Sequence, residues 1–146
     1  MVSSAVTPWA EGTAGLLRLP SGLLVRGRGL RAGAPDESAT VTLALTWLPP
    51  ESAPGRILWV RTPDFGVPLA PEAARRRFAQ AHALLPTERV EVVCGGGIGR
   101  TGTGLAALAI LDGLTPTDAV DYVRTGYHPR AVETPWQRWF LAGVRR

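Results

Sequence analysis

Apolar residues in the first sixty positions come in short runs separated by turn formers. Leu16 to Leu19 and Leu23 to Val25 flank Pro20-Ser21-Gly22, the pattern of a short hairpin. Gly27 to Ser38, rich in glycine, arginine and alanine, reads as loop. Thr40 to Trp47 alternates threonine with Val, Leu and Trp, as a strand does. Pro49 to Gly55 is a turn-rich connection, and Ile57 to Val60 a short buried strand. It feeds Thr62-Pro63-Asp64-Phe65-Gly66-Val67-Pro68, where two prolines and a glycine exclude regular structure.

Beyond Pro68 the period changes. Pro71 to Leu85 carries Phe78, His82 and Leu85 at helical spacing. Arg89 to Val93 is a strand, Cys94 to Gly99 a glycine-rich turn, and Arg100 to Leu111 a helix apolar on most sides and therefore buried. Thr115-Pro116-Thr117-Asp118 has the cap, proline and acid of a helix start, and Gly126 is placed to end that helix. Thr134-Pro135 repeats the signal for a last helix through Val144. Strands first and helices later predict an α/β fold: a central, mostly parallel sheet flanked by helices, with a strand–turn–helix unit in the middle. No repeat or linker divides the chain, so residues 1–146 read as a single domain, with 1–14 as an irregular N-terminal segment.

Composition adds exclusions. One cysteine in 146 residues rules out an internal disulfide framework and a cysteine-rich zinc cluster. No apolar run is long enough for a membrane span. The N-terminus lacks a secretory pattern, so a cytoplasmic location and no membrane partner are expected. The net charge of +4 rests entirely on arginine, since the chain has no lysine. Those arginines are scattered, and the single run Arg75-Arg76-Arg77 spreads around a helix as a solvated surface. No specific nucleic-acid partner follows from them.

Chemistry concentrates in Cys94-Gly95-Gly96-Gly97-Ile98-Gly99-Arg100-Thr101-Gly102. Glycines let successive backbone N–H groups point inward at a helix N-terminus, which makes an anion nest. Arg100 adds a planar fork matched to two phosphate oxygens. That positive environment favours a Cys94 thiolate, and Thr101 can donate a hydrogen bond to it. The stretch formally matches the dinucleotide motif GxGxxG from Gly97. However, Asp121, the acid at the right distance, lies in a helical pattern, and the chain is too short for the second half of that fold. The phosphate-loop NTPase pattern fails at both ends, with cysteine for its first glycine and arginine for its lysine.

The stretch Cys-x5-Arg-Thr-Gly resembles the signature of the cysteine-dependent protein tyrosine phosphatase superfamily, at its compact, dual-specificity end. Thr62 to Pro68 is similar to the family's acid-bearing loop, and Tyr127 to Gln137 to the segment with a water-positioning glutamine. The resemblance implies a phosphate-binding loop formed by Gly95, Gly96, Gly97, Ile98, Gly99 and Arg100. It implies Cys94 as nucleophile, Arg100 as oxyanion binder, Asp64 as general acid and Gln137 as the residue placing the hydrolytic water. No metal or other cofactor is implied. The implied partner is a phosphorylated protein, and phosphate, vanadate or sulfate are the implied active-site anions. Val93 stands where the family commonly has a histidine and Thr62 where it has a tryptophan, which touches loop order and loop closure. His82 and His128 have no site partner and read as structural. A phosphatase of inositides or RNA, and a phosphoprotein-binding module, are the alternatives. The loop lacks basic side chains of its own, which favours phosphoprotein over polyphosphorylated inositide.

Overall fold

The computed structural model describes residues 6–35, 37–50 and 55–145. Strand β5 (Val90–Cys94) is buried at all five positions and lies at the centre of the sheet. Parallel neighbours on both sides leave little of the strand open to water, so Val90, Val92, Val93 and Cys94 are buried and even Glu91 is enclosed. Its neighbours are β2 (Leu24–Gly29) and β3 (Val41–Thr46), both parallel to it, and β4 (Arg56–Arg61) pairs parallel with β3. Only β1 (Leu16–Arg18) is antiparallel, closing the expected hairpin on β2 with Leu16 opposite Arg26. The order β1-β2-β5-β3-β4 makes this an α/β fold with a five-stranded, mostly parallel sheet.

Four helices follow the expected positions: α1 (Pro71–Leu84), α2 (Gly99–Leu111), α3 (Pro116–Gly126) and α4 (Pro135–Ala142). Helix α2 is buried from Gly99 through Ile110, packed between the sheet and the other helices. Phe78 of α1 meets Phe140 of α4 edge to face, with ring centroids 5.9 Å apart. The threonine caps form as expected: Thr115 accepts from the Asp118 N–H, and Thr134 forms a reciprocal capping box with Gln137. His82 pairs with Asp112 at 2.9 Å, and His128 Nδ1 accepts from the Arg130 N–H at 3.0 Å. Arg76 and Arg77 are exposed, while Arg75 pairs with Glu72. No helix among the described residues is long and apolar enough to cross a membrane.

One expectation changes. The segment from Gly27 does not begin as loop, because β2 continues to Gly29, followed by a single 3-10 turn at Leu30–Ala32. Glycine and arginine look unlike strand residues, but their partners override propensity. Arg26 and Arg28 both reach Glu91 of β5, at 2.7 and 2.9 Å, and Thr42 of β3 donates to the same carboxylate at 2.9 Å. This polar row lies on the sheet face opposite the helices. The guanidinium of Arg26 stacks under the Trp9 ring at 4.2 Å. Residues 6–15 form neither helix nor strand, and Trp9 among them is buried, its indole N–H donating to the Val90 carbonyl at 3.3 Å. The turn-rich connection at Pro49 to Gly55 falls partly on residues 51–54, outside the described ones.

Candidate active site

The carboxyl end of β5 delivers Cys94 to the middle of the sheet, and the amino end of α2 begins five residues later at Gly99. The intervening loop must turn tightly, and Gly97 does so with a φ of 77°, where a side chain is disfavoured. Space forbids one as well. A Cβ on Gly97 would approach the Gly29 backbone nitrogen to 2.5 Å, and one on Gly29 would meet the Gly96 carbonyl at 2.8 Å. Strand β2 and the loop therefore touch backbone to backbone. The extended β2 is thus part of the site.

Cys94 is buried at the floor of this turn. Its sulfur accepts the Gly97 N–H at 3.2 Å and the Thr101 hydroxyl at 3.0 Å. Both donors converge on the sulfur from within the loop and the first turn of α2. Tyr127 holds the loop from outside, donating its hydroxyl to the Gly97 carbonyl at 2.5 Å. Its ring occupies the space a Cβ on Gly27 would need. Burial, and then the charge of Cys94, push the Tyr127 hydroxyl up to about 12, so it stays a donor. Tyr127, just past the end of α3, thereby braces the loop.

Arg100, in the first turn of α2, is almost wholly buried. Its Nη1 donates to the Thr62 carbonyl at 3.0 Å, and Nη2 lies 3.7 Å from Asp64 Oδ1. Nε is buried with no hydrogen-bond partner among the described residues. A buried cationic N–H without an acceptor is costly, and it marks the place where an acceptor belongs. One edge of the guanidinium thus fixes the arginine to the acid loop, and the Nε edge remains for an oxyanion.

The loop carrying Asp64 is built differently. Thr62 is buried, with its N–H donating to the Thr46 carbonyl and its hydroxyl to the Val60 carbonyl, so it anchors the start of the loop. Past Pro63 the chain is open: the Asp64 side chain is 57% exposed, and Phe65 has a φ of 59°. Helix α4 supplies the restraints. Trp136 Nε1 donates to the Phe65 carbonyl, and Gln137 Nε2 to the Gly66 carbonyl at 3.2 Å.

Gln137 is fully buried. Its Oε1 accepts the Glu133 and Thr134 N–H groups at 2.7 and 3.1 Å, so both ends of its amide are engaged with backbone. It ties α4 to the acid loop. Glu133 instead extends over the phosphate loop, with its Oε1 where a Cβ on Gly99 would be. The residue before it, Val132, is buried at a φ of 61°, a strained conformation for a β-branched side chain. Arg124 holds that bend by donating to the Ala131 and Val132 carbonyls at 2.8 and 2.7 Å.

The structure thus brings together Cys94, the loop glycines with Ile98, Arg100, Thr101 and Asp64, and sets Gln137 behind the acid loop. Sequence reading missed Tyr127 and Glu133. Their signal was indirect, in the glycines at 27 and 99 that make room for them. Asp121 lies exposed on α3 and not at a strand end, which agrees with setting the dinucleotide reading aside. Among the described residues, no group of three or more His, Cys, Asp or Glu side chains is placed to hold a metal ion.

No protein-family model matches the sequence, and no curated protein matches it. Solved structures do. The chain superposes on Tk-PTP in its active form with a TM-score of 0.69, at 21% identity over 89% of this chain and 95% of that one. Human DUSP28 gives a TM-score of 0.68 at 18% identity, covering 86% of this chain and 92% of the other. The kinase associated phosphatase, with its catalytic-site cysteine changed to serine, gives 0.65 at 14% identity over 90% and 94%. At these identities the likeness is one of fold. The chain has the fold of the cysteine-dependent protein tyrosine and dual-specificity phosphatases.

Proposed function

We propose that this protein hydrolyses phosphomonoesters on phosphorylated proteins, with phosphotyrosine the principal substrate group, through a phosphocysteine intermediate. The observation that carries this reading is the buried Arg100 Nε without an acceptor, beside a buried Cys94 sulfur that already receives two donors.

In this reading, an incoming phosphate places two non-bridging oxygens against the Nε edge of Arg100 and the inward loop amides. The Cys94 thiolate attacks phosphorus as the phosphorus–oxygen bond to the substrate breaks. Asp64 gives its proton to the leaving oxygen, completing the alcohol or phenol. Asp64, now a carboxylate, takes a proton from water as the water oxygen attacks the phosphocysteine. The sulfur–phosphorus bond breaks, releasing inorganic phosphate and restoring the thiolate. Gln137 serves by holding Gly66, and so Asp64, in place. The Asp64–Arg100 contact at 3.7 Å supports an acid loop resting against the cradle before substrate arrives.

Turnover of phenyl phosphate and of phosphotyrosine, phosphoserine and phosphoinositide panels tests the reading. Activity should be unchanged in EDTA and inhibited by vanadate, which mimics five-coordinate phosphorus. It should be absent in Cys94→Ser. Loss of activity in EDTA that a divalent metal restores would sink the mechanism.

A further inference from the structure

Arg31 stands beside the phosphate loop without belonging to its signature. Its backbone N–H donates to the Gly95 carbonyl at 3.0 Å. The strand end two residues earlier is held to the loop through Gly29, so Arg31 is mounted on the same backbone unit as the cradle. Its side chain lies over the loop. A Cβ on Gly95 would come within 3.1 Å of the Arg31 Cζ and Nη2 atoms, and one on Gly96 within 3.7 Å of Nη1. The guanidinium therefore crowds the space that a side chain on Gly95 would fill, and lies at contact distance from the position of one on Gly96.

Other arginines nearby are committed. Arg26 and Arg28 share the Glu91 carboxylate, and Arg100 faces Asp64. Arg31 is exposed, and among the described residues no carboxylate pairs with it. A loop whose five variable positions carry no charge thus receives a cation from a neighbouring element. A groove of about 870 Å³ runs from Gly96 and Ile98 past Ala32, the residue after Arg31, and Pro35 toward Glu37. Glycines and small side chains line much of that groove, and Glu11 and Glu37 are the carboxylates in its lining.

We propose that Arg31 forms a second anion subsite at the rim of the cradle. The preferred substrate is then a phosphopeptide with an acidic residue next to the phosphorylated one. The proposal rests on the phosphatase reading above and names its substrate class. One exposed guanidinium suits one carboxylate. The groove suits a peptide better than a compact polyphosphate, which would demand several cations around it. Because the subsite binds substrate and transition state alike, it lowers KM and leaves kcat unchanged.

The test compares phosphotyrosine peptides differing only at the positions flanking the phosphotyrosine, Glu in one set and Gln in the other, with phenyl phosphate as a control. For the native protein KM should be roughly two- to five-fold lower for the Glu peptides, the reach of a solvent-exposed ion pair, at equal kcat. Arg31→Gln should erase that difference and leave phenyl phosphate unchanged; Arg31→Lys should keep part of it. Binding of the same peptides to Cys94→Ser reads the subsite without turnover. If no substrate is hydrolysed, the phosphatase reading falls, and the ranking by binding still decides this one. Equal affinity for both peptide sets, or a preference that survives in Arg31→Gln, overturns the subsite. So does an equal loss on phenyl phosphate, which would make Arg31 a brace for Gly95. An Arg31-dependent preference shown only by soluble inositol bisphosphates overturns the peptide assignment.

Discussion

The two loops that meet at the site are built on opposite principles. The phosphate loop hangs from the central strand and leads into a buried helix, and its backbone is packed against β2 through Gly29. Tyr127 closes it from outside. The acid loop hangs from β4, an edge strand, and its tip is held by single hydrogen bonds from Trp136 and Gln137. The first has little freedom to move without disturbing the core. The second can lift by breaking the hydrogen bonds from Trp136 and Gln137 and the Asp64–Arg100 contact. That asymmetry suits a reaction in which the oxyanion site must be preorganised, while the acid must admit and release substrate.

The largest expected effect lies on the rigid side. Cys94→Ser should abolish turnover while retaining phosphopeptide binding, because a serine hydroxyl keeps the shape of the cradle but is not ionised near neutral pH and attacks phosphorus far more weakly than a thiolate. Calorimetry alongside a rate assay checks both halves.

Next comes the mobile side. Asp64→Asn should slow phosphotyrosine hydrolysis by about 10²–10⁴-fold, the usual reach of general acid catalysis. It should slow an activated phenol ester far less, because such a leaving group needs no proton. The alkaline limb of the rate–pH profile should vanish with it. An equal loss on every leaving group, with both limbs kept, would make Asp64 structural.

Gln137→Leu separates tethering from chemistry. It frees the Gly66 carbonyl and two capped N–H groups, so stability should fall by about 1–2 kcal/mol. Turnover should fall selectively for poor leaving groups, by less than in Asp64→Asn. Tyr127→Phe tests the opposite loop: losing one hydroxyl should cost about 1 kcal/mol and slow good and poor leaving groups by the same few-fold factor. Denaturant melts and a leaving-group series distinguish the two patterns. If both variants respond alike, the contrast between the loops fails.

The smallest effect is a pH dependence of stability on the cradle side. Burial pushes the Glu91 carboxyl up, but hydrogen bonds and charge from Arg28 and Arg26 outweigh it and hold the carboxyl below its ordinary value of 4.5. Asp112 is lowered too: burial raises it, and hydrogen bonds from Ser21 and His82 more than offset this. For a depressed carboxylate the stabilisation is present above the unfolded value and is lost as pH falls through the folded one. Melting temperature should therefore hold down to about pH 4.5 and drop below it. The proton uptake should shrink in Glu91→Gln, measured with Asp112 intact.

Much of this was legible in the chain itself. Cys94, Arg100 and Thr101 lie within eight consecutive positions, so local geometry alone makes them a unit, and strand, turn and helix follow from the valines, glycines and apolar helix around them. The threonine caps, the buried α2 and the parallel character of β5 are likewise consequences of sequence-near patterning. What tertiary structure decided lies at long sequence separation. The continuation of β2 through Gly29 depends on Glu91, more than sixty residues away, neutralising Arg26 and Arg28. Gln137 became a tether because α4 docks beside the acid loop, and Tyr127, Glu133 and Arg31 reach the site over glycines whose missing side chains leave no periodic trace. A residue's own neighbours in sequence set its conformation and its intrinsic chemistry. Which charges, carbonyls and empty spaces surround it is set only when distant segments are packed together.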